Sequence, residues 1–252
     1  MAAAPAIPTP TPETAPLSEG ARLVNLFIAP AKTFNDLRRS ASWWAPFLLL
    51  CVMSLAFVYT VDQKIGFLKV AENQIQASPK AAQRIEQLPA DQRNHAVQRQ
   101  AAIVRNISYG YPVVILLWNL IIAAILFATF KFAQSSDAKF KTSLAIVMYA
   151  SLPLVVKTLL ATVSVAAGAS ADSFTFQNPV ATNPGYFLTP ADSPFLYSLA
   201  TAIDIFMIWT LIVTAIGFTS VSKVKRSTAL AIVFGWYFVF ALGGAGFGAL
   251  FT

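Results

Sequence analysis

Tyr109 to Phe130 reads YGYPVVILLWNLIIAAILFATF, a run without one charged side chain. A helix of roughly 20 apolar residues crosses a hydrocarbon core about 30 Å thick, so this stretch is read as a transmembrane span. In lipid every backbone polar group must find its partner within the protein, which leaves a helix as the natural conformation for such a run. Working outward, four further runs have the same character: Ser42 to Val61, Ser143 to Gly168, Phe195 to Val221 and Thr228 to Thr252. The fold class that follows is all-α, a polytopic bundle of five transmembrane helices occupying 42–252. Composition agrees. Only 12% of the 252 residues are charged, about half the share found in soluble domains.

The net charge of +7 would suit nucleic acid if it formed a basic stripe interleaved with aromatic residues. It does not, so no nucleic-acid partner is expected. The positive charge borders the apolar runs, where it sets topology and meets anionic lipid. Lys131, Lys139 and Lys141 lie between the second and third runs; Lys223, Lys225 and Arg226 lie between the fourth and fifth. The loop Ala169 to Pro194 has no Lys or Arg and carries Asp172 and Asp192. By the positive-inside rule the N-terminus is cytoplasmic, the C-terminus external, and the protein a multi-pass component of the cell membrane. Asp62 to Ser108 is then external despite seven basic residues against four acidic. Ser78-Pro79 and Pro89 are helix-opening signals, so this segment is read as an external helical hairpin prolonging the first two spans.

Upstream, residues 1–17 form a Pro/Ala-rich stretch read as a disordered tail without the basic n-region of a secretory signal. Residues 18–41 are read as two short amphipathic helices separated at Ala29-Pro30 and lying in the membrane interface. Leu23, Leu26, Phe27, Phe34 and Leu37 supply the apolar side. Lys32, Arg38 and Arg39, with Trp43 and Trp44 at the head of the first span, are the interfacial anchors.

Two charges fall inside spans. Lys157 is eleven residues from Gly168, roughly 16 Å along a helix, and Asp204 is nine residues from Phe195, roughly 14 Å. Each alone at the centre of a span would cost about 2.5 to 3.5 kcal/mol, so opposite charges at one depth are expected to pair. Asn119, about 15 Å below Tyr109 by the same rise, is the candidate third member of this polar layer. Pro153, one turn before Lys157, is expected to kink the third helix. The layer reads in two ways: a buried pair that fixes helix register, which we prefer, or an ion or proton pathway. Gly244 and Gly248 form a GxxxG on the last span, a helix-packing signal within the bundle or, less economically, a homo-oligomer face.

Catalytic and metal signatures are missing from the sequence. His95 stands without a Cys or His cluster, Cys51 is the only cysteine and sits within the first run, and there is no Walker A, GxGxxG or GxSxG pattern. No metal, cofactor or enzyme activity is expected. Asn106-Ile107-Ser108 matches a glycosylation acceptor but abuts the second span, where modification is not expected.

Three stretches, in this order and spacing, resemble the Yip (Ypt/Rab-interacting protein) domain family in its prokaryotic form. They are LFIAPAKTFNDLRRSASWWAPFLLL (Leu26 to Leu50), YASLPLVVKTLL (Tyr149 to Leu160) and AIDIFMIWTLIVTAIGF (Ala202 to Phe218). The resemblance covers about Arg22 to Leu250. It implies a five-helix bundle with a cytoplasmic N-terminus and an accessory or scaffold role among membrane proteins, some prokaryotic members occurring beside export systems. The Asp-Leu-Tyr-Gly-Pro motif of eukaryotic relatives that act with Rab-type GTPases is absent, so that role is not carried over. The competing reading is a small transporter or channel lined by Lys157, Asp204 and Asn119; it requires broken helices near the midplane, and five spans do not divide into two equal inverted repeats.

Overall fold

Hydropathy fixes where helices form; which of their faces meet one another is set by small residues, aromatic rings and a few buried hydrogen bonds. The computed structural model describes residues 15–134 and 139–251, with the side chains of 249–251 excepted. The tail read over 1–17 lies outside the described residues except for Ala15 to Leu17.

The described residues form helices joined by connections, without strands. Two short helices come first, α1 (Glu19–Ile28) and α2 (Pro30–Leu37). Ser18 caps α1 by accepting from the Ala21 amide, and Pro30, with no N–H to orphan, opens α2. The first span is α3 (Trp44–Lys64). Gly66, at φ +82°, turns the chain into α4 (Phe67–Gln76), and α5 (Pro79–Glu86) and α6 (Ala90–Tyr109) follow. Ser78 caps α5 with Pro79 behind it. From α6 the chain passes through Gly110 into the second span, α7 (Tyr111–Ala128), which continues as a π-turn over Thr129–Ala133.

The third span comprises α8 (Phe140–Ala150) and α9 (Leu152–Ala166). The helix is interrupted at Ser151, two residues before Pro153, yet the halves run on as a single span, Phe140–Ala166. The last span is α12 (Arg226–Phe251).

One span departs from its sequence reading. The stretch read as a continuous helix over 195–221 is two helices, α10 (Pro194–Ala202) and α11 (Ile205–Val221), bent by 51° at Ile203-Asp204. Among the described residues four helices are thus long and apolar enough to cross a membrane, and five when the bent pair counts as one span.

Two cores hold the elements. At one end Phe34, Leu37, Phe130, Tyr149 and Phe218 are fully buried, with the Phe130 and Phe218 rings stacked at 4.2 Å. Here α2 lies on α8 and α11, and Gly217 makes the approach possible: a Cβ there would collide with Ile146 and stand 3.1 Å from the Phe34 ring. Leu26, Phe34 and Leu37 are buried against the bundle, and the row left exposed is Val24, Phe27 and Ile28. At the other end Phe57, Val61, Phe67, Val104, Ala161, Val165 and Phe174 pack together. Phe174 belongs to the long connection between α9 and α10. Asn73 anchors that connection by donating to the carbonyls of Ala171 (2.7 Å) and Phe174 (3.0 Å).

Candidate functional site: a charged pair at a broken helix

A helix break inside a membrane strands carbonyls at the end of one half and amides at the start of the other, and each must be satisfied by protein. The residues around Asp204 meet this demand. Asp204 is the N-cap of α11: its Oδ1 accepts from the amides of Phe206 (3.0 Å) and Met207 (3.2 Å). The Ile205 amide donates to the Thr182 carbonyl at 3.2 Å, and the Ala202 carbonyl accepts the Tyr237 hydroxyl at 2.7 Å. The second carboxylate oxygen, Oδ2, accepts from Lys157 Nζ (2.8 Å), from the Thr182 hydroxyl and from Asn183 Nδ2 (3.4 Å). Asp204 is 3% exposed, and the Lys157 side chain 20%.

The electrostatics follow. The carboxylate faces the positive end of the α11 dipole, an ammonium ion and two side-chain donors, so its charge is compensated on every side. A buried pair of this kind gains from its surrounding hydrogen bonds rather than from Coulomb attraction alone. The group is also tied to the α9–α10 connection. Asn183 donates to Asn178 Oδ1 at 2.8 Å, both asparagines being buried, while Asn178 Nδ2 and Asn183 Oδ1 have no partner among the described residues. Gly185 lets this connection close on α10, since a Cβ there would lie 2.7 Å from the Thr201 amide nitrogen.

The other residues singled out in the sequence fall elsewhere. Asn119 is not brought to the charged pair, which corrects its place as a third member. Its Oδ1 accepts from Ser151 Oγ (3.1 Å) and its Nδ2 donates to the Ile115 carbonyl (2.8 Å), so it braces the joint between α8 and α9. Pro153 stands in the first turn of α9, just past that joint. Gly248 faces Ser198 of α10, whereas a Cβ at Gly244 would have nothing within 4 Å. Trp43 packs on Phe47 with ring centroids 5.8 Å apart; Trp44, Lys32, Arg38 and Arg39 are exposed.

Thr182, Asn183 and Tyr237 were not singled out from the sequence. The available signal was the turn-forming Thr182-Asn183-Pro184-Gly185, though nothing in it says that the turn folds into the bundle. A second buried group was missed altogether. Arg22, 3% exposed, donates to Asp36 (2.7 Å) and to Glu19 (3.0 Å), and the other oxygen of Glu19 accepts from Tyr149 OH (2.6 Å). Burial alone would lower the Arg22 pKa; the hydrogen bond and charge of Asp36, with Glu19, outweigh it and hold it above its ordinary value. This group clips α1 and α2 to α8.

The Yip1 domain family matches residues 24–248, from the exposed row of α1 to the last described side chain of α12. The chain belongs to the Yip1 domain family. No curated protein and no solved structure shows significant similarity to it. The Yip1 match and the apolar helices together make this a multi-pass membrane protein in contact with the lipid bilayer. The Yip1 family is not a known enzyme family.

Proposed function

We propose that this Yip1-family protein is a non-enzymatic scaffold or accessory subunit of the cell membrane, with its N-terminus cytoplasmic and its C-terminus external, that holds other membrane proteins. The observation that carries the reading is the mutual engagement of Lys157 and Asp204, the charged residues within the described spans. Lys157 and Asp204 are bound to each other, and Asp204 also caps a helix and holds a loop. Groups so committed maintain a shape and are poorly suited to passing an ion along. The exposed surfaces suit partners: the apolar row Val24, Phe27 and Ile28 lies on a helix adjoining α2, which presents Lys32 and leads to Arg38.

Crosslinking of the tagged protein in native membranes, followed by purification and mass spectrometry, tests this. A stoichiometric membrane-protein partner is the expected result; a homo-oligomer alone, with no partner, would end the scaffold reading. A transporter is the second reading, favoured by the break at Asp204, since discontinuous helices with half-helix ends near the midplane are a recurrent transporter device. Flux of protons or alkali cations into liposomes holding the purified protein, abolished in Asp204→Asn, would establish it.

A further inference from the structure

A cavity of about 380 Å³ lies between the α4–α5 turn, the α9–α10 connection, α10 and α12. On the topology proposed above this side is external. Gln74 of α4 reaches the cavity from the turn, Phe176 and Gln177 from the connection, and Tyr197 and Ser198 from α10. Gly244 and Gly248 supply the wall that α12 contributes, and a Cβ at Gly244 would meet nothing within 4 Å. The cavity is separate from the charged pair, neither member of which lines it, and none of the described residues that line it is charged.

Its lining divides by chemistry. The Phe176 ring is fixed from behind by Phe67 (6.1 Å) and Phe174 (5.3 Å), and forms a rigid apolar wall. Ser78 and Thr175 commit their hydroxyls locally, each accepting a backbone amide at 3.3 Å, from Ala81 and Asn178. The side chains of Gln74, Gln177 and Ser198 make no hydrogen bond to a described residue. Tyr197 decides the reading. It is 6% exposed, and a tyrosine so buried ordinarily finds a partner for its hydroxyl. This one has none among the described residues, yet the hydroxyl is not sealed off, and the residue lines the cavity.

We propose that this cavity binds the ring of a neutral sugar. Such a ring joins an apolar C–H face to an edge of hydroxyls, each both donor and acceptor. The cavity offers an aromatic wall together with amides and hydroxyls of the same double character. A phosphate, carboxylate or ammonium held there would be desolvated without a counter-ion. A wholly apolar ligand would leave the amides and the Tyr197 hydroxyl unpaired. The volume falls within the range of small-molecule pockets, about 300–1,000 Å³. At roughly 30 Å³ for a water-sized group it admits about a dozen non-hydrogen atoms, as many as one hexose has. A free saccharide and the headgroup of a glycolipid present the same ring, and the experiment separates them.

The probes are methyl β-glucoside and a glucosyl-diacylglycerol. Each is offered to the full protein in phosphatidylcholine nanodiscs, purified without glycoside detergents. Both faces of a nanodisc are accessible, so the result depends neither on topology nor on a protein partner. Binding of the glucoside, read by saturation-transfer NMR, supports the proposal with a soluble source. Binding of the glycolipid alone, read by native mass spectrometry, supports it with a lipid source. Tyr197→Phe removes only the hydroxyl and is expected to weaken either probe by about three- to ten-fold, the range for one hydrogen bond. Gly244→Leu sends a side chain into the cavity from an open position; it is expected to abolish binding while the protein still folds. Methyl β-glucuronide, the same ring with a carboxylate, is expected not to bind. Binding of neither neutral probe would overturn the proposal and leave a cavity filled by water. So would wild-type affinity in both variants, or a glucuronide that binds as tightly as the glucoside.

Discussion

Exchanging the charges, Lys157→Asp with Asp204→Lys, is the test that equal depth alone recommends, because a simple ion pair works in either direction. The structure leads to a different expectation. Oδ1 of Asp204 accepts two amides at the start of α11 and Oδ2 accepts from Thr182 and Asn183, and a lysine at 204 has no oxygen with which to do so. Lys157→Met leaves the carboxylate its four other donors; removal of one partner of a buried pair costs about 3 kcal/mol at the low end. Asp204→Ala loses the pair and also the cap, a further cost of about 1 kcal/mol. The swap restores the pairing but not the cap or the loop ties, so it is expected to remain destabilised by about 2 kcal/mol or more. For a chain of this length about 1 kcal/mol moves the midpoint by about 2–4 °C, so Lys157→Met should melt about 6–12 °C below wild type. Asp204→Ala should fall lower still. The assay is thermal unfolding in mild detergent followed by tryptophan fluorescence, with size-exclusion chromatography of heated samples as a check. Wild-type stability of both single variants would refute the role given to the pair, and wild-type stability of the swap would refute the role given to the cap.

Three further outcomes are expected. Gly185→Ala places a methyl against the Thr201 backbone and should destabilise by about 1–3 kcal/mol, read as faster protease cleavage within 169–193. Tyr149→Phe removes the hydrogen bond to Glu19 while Arg22 still holds that carboxylate; the loss is about 1.5–3 kcal/mol for a bond to a charged group, and protease sensitivity of α1 should rise first. The Lys69–Asp172 pair (2.6 Å) ties the α9–α10 connection to α4. Its hydrogen bond holds the Asp172 pKa below and the Lys69 pKa above their ordinary values. Each folded value lies on the side that favours the charged form, so the tie is complete at neutral pH. It is lost as pH falls through the lowered Asp172 value or rises through the raised Lys69 value. Because Asp172 is 85% exposed the effect is local and screened by salt. The hydrogen-exchange protection factors of 169–174 should fall at both extremes, and an unchanged protection factor at acid pH would remove the pair from the account.

The spans were readable because a lipid-crossing helix demands a long apolar run, and Tyr109 to Phe130 has no competing interpretation. Helical rise led to the expectation that Lys157 and Asp204 pair, and the two side chains meet at 2.8 Å. The break at Asp204 was not: Leu199-Ala200-Thr201-Ala202-Ile203 on one side and Ile205-Phe206-Met207 on the other carry neither Gly nor Pro. The helix is parted by an acidic cap whose partners come from a loop and from α9, and those are tertiary facts. The direction of the apolar side of α1 and α2 was hidden for a related reason. Lipid tails are as apolar as leucine, so hydropathy does not distinguish a helix that faces the bilayer from one that faces a bundle. Only Gly217, small enough to admit Phe34, records the difference.

The broken span bears on how the protein is made. Synthesis delivers Lys157 to the membrane first, then Thr182 and Asn183, and only afterwards Asp204, so the carboxylate emerges into a site whose side-chain donors already exist. The remaining tie, from the Tyr237 hydroxyl to the Ala202 carbonyl, arrives last with α12. A ribosome stalled before Tyr237 would therefore leave a nascent chain with the carbonyl end of α10 unsealed, and the final helix acts as the latch on assembly.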